Sequence, residues 1–344
     1  MKKYSHGGNI YNKAPLRNDF SVNLNPLGMP EEVKRAIESS ADKMSAYPDP
    51  DCMELCRRIA GVHGVLPENV LCGNGAADII IRIALALKPK AVLSLAPGFS
   101  EYEKAARLCG AAFKTHTLSP ENDFHLDNSV LDAVTADVGL VYICNPNNPT
   151  GRLCEGELMA ALLKKCEAVG AVLAVDECFI GFTNAPSMQA YLNSPSLVII
   201  NALTKSYAMA GLRLGYMLSS NAALIKKVSD FSQSWSVSSV AQIAGIAALD
   251  CGEHLKKARA LIEKERSYLS SGLSGFGVRV FPSDANFLLC FYEAPISSRL
   301  LKWGIMVRDC SNFAGLDARY FRVCISARRE NDLLLREISE VLNG

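Results

Sequence analysis

The sequence predicts an α/β protein built on a parallel or mostly parallel sheet with helices on both faces, joined to a smaller α+β unit. Three observations predict it. Short, continuously apolar runs of strand length alternate with amphipathic helical runs, as expected for strands buried on both faces. Polar and special residues fall at the carboxyl ends of those runs, where such sheets bind ligands: Gly75, Phe99, Asn148, Asp176 and Lys205. After residue 230 the alternation gives way to a long helical stretch and then separate strands.

Residues 1–30 are polar and punctuated by Gly, Pro and Asn, which predicts an extended arm with turns. "PEEVKRAIESSADKM" opens with Pro30 and acidic residues, as a helix start prefers, and "DCMELCRRIAGVHG" is a helix stopped by Gly64. "ENVLCGNGAADIIIRIALALK" reads as strand, glycine turn and helix. "AVLSLAPGF" is a strand ended by Pro-Gly, and "EYEKAARLCG" is a helix ended by Gly110. "VGLVYICNPNNPTG" is a strand running into a turn, "EGELMAALLKKCEAVG" a helix, "AVLAVDECF" a strand ending in acid, and "SLVIINALTK" the next strand. Beyond residue 230, "SVAQIAGIAALDCGEHLKKARALIEKERSYLSSGL" is helical, and "VRVFPSDANFLLCFY", "GIMVRDC" and "YFRVCIS" hold strands. The expected division is an arm over 1–30, a large unit over 31–230 and a small unit over 231–344.

Composition narrows the function classes. With 36 Lys plus Arg against 35 Asp plus Glu, there is no overall charge to draw nucleic acid or an anionic membrane, so anion recognition must be local. The 12 cysteines are scattered, most within apolar runs such as "LVYIC" and "FLLCF", and no pair of CxxC units suggests a metal site. The N-terminal residues lack the apolar stretch of a signal peptide, and no run is long enough to span a membrane. A reducing, cytoplasmic setting is expected.

The chemistry gathers at the strand ends. A lysine there, Lys205, can be partly desolvated and so become a nucleophilic amine, although a lone lysine in a loop more often only faces solvent. Arg213, flanked by Gly211 and Gly215, can approach a phosphate closely, and Thr204 adds a hydroxyl. Asp176 reads either as a loop acid or as a buried carboxylate facing a pyridine nitrogen, which it would keep protonated. "CGNGAAD" offers backbone N–H groups at a helix start, an anion site that is weak evidence alone. Together these parts describe a site for pyridoxal 5'-phosphate.

With "CGNGA" (72–76), "APGFSEY" (96–102), "NPNNPTG" (145–151), "DECF" (176–179) and "LTKSYAMAGLRLGY" (203–216), the chain resembles the fold-type I, class I and II aminotransferase superfamily. The resemblance implies a large domain with a mostly parallel seven-stranded sheet between helices and a smaller α+β C-terminal domain. It implies that Lys205 bonds the cofactor's aldehyde and later carries a proton, and that Asp176 pairs with the ring nitrogen. Asn148 would donate to the ring's 3'-oxygen, and Phe99, rather than Tyr102, would stack on the ring. Gly75, Ala76, Thr204 and Arg213 would hold the cofactor phosphate. Tyr47 in "AYPDP" would reach the neighbouring subunit's cofactor, implying a homodimer. Phe179 and Ala202 depart from the Tyr and Ser common in this superfamily.

Within the superfamily, "HGGN", "DFSVNLNPLGMP", "PGFSEY", "DECFIGF" and "GLDARYFRV" resemble the threonine-phosphate decarboxylase family of cobalamin biosynthesis, which shares the Phe at 179. This implies that His6, Gly7, Asn23, Asn148, Arg308 and Arg322 bind a small phosphorylated amino acid. The two arginines, each unremarkable alone, suit a carboxylate and a phosphate. Their division of labour stays open, as does discrimination against serine phosphate, where one methyl is worth about 1 kcal/mol. The rivals are a histidinol-phosphate-type aminotransferase and, from another class, a cofactor-binding regulatory module, which the presence of Lys205 disfavours.

Overall fold

The structure, a computed structural model, describes residues 6–11 and 15–343. Residues 1–5 and 12–14 of the predicted arm, and Gly344, lie outside the described residues.

A seven-stranded sheet organises the larger part of the chain. Its spatial order is Val70–Gly73, Gly215–Leu218, Leu197–Ala202, Val172–Asp176, Val138–Cys144, Ala91–Ala96 and Ala112–Thr117. Only Gly215–Leu218 runs against its neighbours; the other pairings are parallel. The inner strands are apolar throughout because both faces are covered, and alternate residues feed two separate cores. Leu173, Val175, Leu197 and Ile199 belong to one core, while Ala174, Val198 and Ile200 belong to the other. The edge strand Ala112–Thr117 carries Lys114 and His116 and is largely exposed, as suits an unpaired edge.

A second, antiparallel sheet has the order Arg308–Asp309, Tyr320–Cys324, Phe287–Phe291 and Arg279–Val280. The arm is tied to this part of the chain: Asn18–Asp19 pairs in parallel with Ile305–Met306, and the Cys324 N–H donates to the Phe20 carbonyl at 2.9 Å.

Three boundaries differ from expectation. The first helix stops at Glu38, followed by a separate turn over Ala41–Ser45; the Ser40 hydroxyl bonds back to the Ile37 carbonyl at 2.6 Å, a local bond that competes with continued helix. The long helical stretch divides into Ser239–Leu249 and Gly252–Gly275. The strand expected to carry Lys205 ends at Ala202, and the lysine sits on the single helical turn Leu203–Ser206. Ala202 pairs with Gly215, where the partner strand begins; Arg213, at φ 55, has already turned that chain away, so no ladder continues to Lys205.

Candidate active site

The carboxyl ends of the large sheet, the N-terminal arm and the second sheet enclose a cavity of about 450 Å³. Lys205 and Asp176 both line it. Burial depresses the Lys205 ammonium to about 8, helped by the positive charges of Arg322 and Arg213. The arm is laced to this turn: the Asn25 N–H donates to the Lys205 carbonyl at 3.1 Å and its amide donates to the Ser206 carbonyl at 2.8 Å.

Asp176 is buried at its strand end, and burial raises its carboxyl above the usual range. Two donors oppose that shift, the Tyr102 hydroxyl at 2.8 Å and the Cys178 N–H at 3.1 Å. Burial and the Asp176 charge push the Tyr102 phenol well up, so it stays a neutral donor. Tyr102 therefore belongs to the site as a prop for Asp176, a role that "PGFSEY" did not signal. Its ring stacks on Tyr142 at 5.0 Å and meets Phe99 edge-on at 5.7 Å, leaving Phe99 at the cavity wall.

The glycine turn before helix Ala76–Leu87 is shaped for an anion. Gly75 has φ 83, and a Cβ there would stand 2.6 Å from the Arg213 guanidinium. Gly215 lies so close to this turn that a Cβ would meet the Ala76 nitrogen at 2.5 Å. Ala76, Thr204 and Arg213 line the cavity, whereas Gly75 supports them from behind. The helix-start N–H groups, a hydroxyl and a guanidinium thus lie at one end of the cavity, a donor set that could hold a phosphate.

Opposite lie the two arginines. Arg308 and Arg322 are cross-strand partners in the second sheet, and both are buried. Arg322 donates to the Asn148 side-chain oxygen and, at 2.9 Å, to the Ser21 carbonyl. Arg308 donates to the Asn312 side chain at 2.8 Å and lies 5.0 Å over the Phe313 ring. Burial, with the like charge of Arg308 adding to it, lowers Arg322 to about 10. Two adjacent buried cations are unfavourable unless an anion joins them. The Arg322 Nε and the Asn23 Oδ1 have no partner among the described residues although both are buried. Asn148 gives its oxygen to Arg322, so its donor end is the one left for a ligand.

The arm completes the wall. His6 Nε2 lies 2.9 Å from Glu101, and a Cβ at Gly7 would stand 2.2 Å from the Ser21 carbonyl. Asn312 and Glu101 also line the cavity and went unnoticed in the sequence, where an Asn or Glu beside a turn is commonplace. Tyr47 is outside this chain's cavity, exposed and stacked 4.3 Å from Trp235. Phe179 and Ala202 line the cavity. All 12 cysteines are free, and all but Cys109 are buried. Among the described residues, no cluster suited to a metal ion and no helix long and apolar enough to cross a membrane is present.

Residues 18–338 match the model of aminotransferase class I and II. The chain belongs to the class I and II aminotransferase family. This aminotransferase-family chain is 35% identical to a threonine-phosphate decarboxylase of Salmonella typhimurium, over 99% of this chain and 97% of that one. Among solved structures it resembles the histidinol-phosphate aminotransferase of Clostridium acetobutylicum, with a TM-score of 0.87, 32% identity, and 94% and 98% of the two chains covered. It also resembles the L-threonine-O-3-phosphate decarboxylase of Porphyromonas gingivalis, with a TM-score of 0.84, 25% identity, and 94% and 99% covered.

Proposed function

We propose that this chain is a pyridoxal-phosphate-dependent carboxy-lyase acting on L-threonine O-3-phosphate in cobalamin biosynthesis, yielding (R)-1-amino-2-propanol O-2-phosphate and CO2. The observation that carries it is the cavity wall opposite Lys205. There two buried arginines, Asn23, His6 and Gly7 converge on a volume large enough for a small doubly anionic amino acid. The decarboxylase relative, matched over nearly its whole length, supports the same reading.

The residues present fit the cofactor. The cradle at Gly75, Ala76, Thr204 and Arg213 suits its phosphate, and the desolvated Asp176 carboxylate suits a cationic ring nitrogen. When bound, pyridoxal phosphate supplies an aldehyde that joins amines and a ring that withdraws electrons from the amino acid's α-carbon. Lys205, with its ammonium lowered to about 8, has a neutral Nζ in about a tenth of molecules at pH 7 and about half at pH 8, and can exchange with the incoming amine. Asp176, held by Tyr102 and Cys178, would hold the ring nitrogen and keep a proton on it. Asn148 donates through its amide nitrogen. Arg308 and Arg322 orient the substrate's carboxylate and phosphate, which decides which bond at the α-carbon stands ready to break. With the cofactor held in this way, the carboxylate would leave as CO2 with its bonding pair kept at the α-carbon, and Lys205 Nζ, which takes a proton from the incoming ammonium on exchange, would return one to that carbon.

We infer a homodimer in which Tyr47 reaches the neighbouring site, and a cytoplasmic setting. The structural likeness to a histidinol-phosphate aminotransferase supports the competing reading of amino transfer. Product analysis separates the two. Cofactor-loaded protein given L-threonine O-3-phosphate and no keto acid should release CO2 and aminopropanol phosphate over many turnovers. Turnover of histidinol phosphate with 2-oxoglutarate, and no CO2 from threonine phosphate, would replace this reading with the transaminase.

A further inference from the structure

Helix Ser100–Leu108 places Glu101 and Lys104 on one face, three residues apart, at the edge of the cavity. Glu101 is 3% exposed, and each of its oxygens is taken by a different basic group. Oε1 lies 2.9 Å from His6 Nε2 and Oε2 accepts from Lys104 Nζ at 2.9 Å. Burial alone would push this carboxyl up; the His6 and Lys104 bonds outweigh it and hold it below the usual range, so it stays charged. The His6 contact crosses 95 residues; the His6 ring also packs 5.5 Å from Phe99, and the Gly8 N–H donates to Ser21 Oγ at 2.8 Å. A buried carboxylate on the wall of an anion site is unfavourable unless it is neutralised. Here it is neutralised by two groups that themselves line the cavity.

We propose that Glu101 is a positioning residue that latches the N-terminal arm onto the cavity rim and sets His6 and Lys104 side by side as donors to the phosphate of the substrate. The inference rests on the reading above that the substrate is phosphorylated. An imidazole anchored to a carboxylate through Nε2 has its other nitrogen available to a ligand, and when both nitrogens carry protons that nitrogen is a charged donor. Lys104, tethered at one side by Glu101, contributes a charge without having to be ordered when the phosphate arrives. Glu101 itself is kept from repelling the phosphate because both of its oxygens are engaged.

The test uses the cofactor-loaded enzyme and two readouts. Glu101→Gln should raise KM for L-threonine O-3-phosphate about tenfold while kcat falls less than about threefold, the difference expected for one charge-assisted hydrogen bond. The dissociation constant of inorganic phosphate, measured by titration calorimetry without substrate, should rise in parallel. Lys104→Met, at a more exposed position and so safe for folding, should weaken phosphate binding severalfold by itself. The double variant should lose less than the product of the two single effects, because the residues act through one latch. Phosphate affinities within twofold of the parent in both single variants would overturn the proposal, as would a fall in kcat with KM and phosphate affinity unmoved. If the parent enzyme releases no CO2 from threonine phosphate, the decarboxylase reading fails by that result alone, and the phosphate titrations still decide the latch.

Discussion

The two walls of the cavity solve opposite electrostatic problems. On the large-sheet side, Asp176 is buried but already braced by the Tyr102 hydroxyl and the Cys178 N–H. On the second-sheet side, Arg308 and Arg322 stand together as cross-strand neighbours, and one guanidinium nitrogen of Arg322 has no partner among the described residues. The first wall braces a buried negative charge; the second brings two guanidinium groups side by side. Preorganised charge of the second kind destabilises the empty protein and is repaid only when the ligand arrives. On the proposed function, the difference assigns the chemistry to the first wall and the choice of substrate to the second.

The comparison can be broken hardest at Lys205. Lys205→Ala should lower kcat by on the order of 10⁴-fold or more and abolish the visible absorbance band that the cofactor shows when joined to the lysine, while calorimetry still detects phosphate binding at the opposite wall. Loss of both together would mean that the walls are not separable.

Arg322→Met should reduce kcat/KM by roughly 10²–10³-fold, the scale for removing one partner of a buried ionic cluster. A reduction below about tenfold would mean that the second wall does not hold the substrate's anions.

Tyr102→Phe should reduce kcat about tenfold, the value of a lost buried hydrogen bond to a charged group. The sign of its pH effect follows from the structure. The Tyr102 bond lowers the Asp176 carboxyl against the rise caused by burial. Without it the carboxylate takes up a proton at higher pH, so the acid limb of the pH–rate profile should move upward. An unmoved acid limb would remove Tyr102 from the cofactor wall.

The smallest effect is a coupling between the walls. Lys205 is lowered to about 8, by burial first and the Arg322 charge second. Reloading of the cofactor-free protein with pyridoxal phosphate should therefore accelerate as pH rises through about 8. In Arg322→Met the midpoint should move upward, because removing a nearby positive charge favours the protonated amine. A midpoint that stays put would show that the two walls do not sense each other.

How much of this was legible differs by wall. Gly75, Phe99, Asn148, Asp176 and Lys205 stood out because each ends an apolar run within a few residues of a turn, Thr204 adjoins Lys205, Arg213 is flanked by glycines, and Ala76 came from the resemblance to a family. His6, Asn23, Arg308 and Arg322 became candidates for one site through the resemblance to a family, since they are spread over more than 300 residues. The roles of Tyr102 and Glu101 went unread because their partners are distant: the Tyr102–Asp176 bond crosses 74 residues and the His6–Glu101 contact 95. No periodicity reports contacts of that range.

The sequence by itself determined the α/β layering, the sites of the strand ends and the residue types available for chemistry, because apolar period and turn residues act over a few neighbours. The tertiary structure alone decided where Lys205 sits, since the strand before it ends where the partner strand's ladder ends. It also decided that Arg308 faces Arg322, that Tyr102 supports Asp176 and that the arm closes the cavity. Those outcomes depend on sheet register and on burial, which exist only once distant segments have packed together.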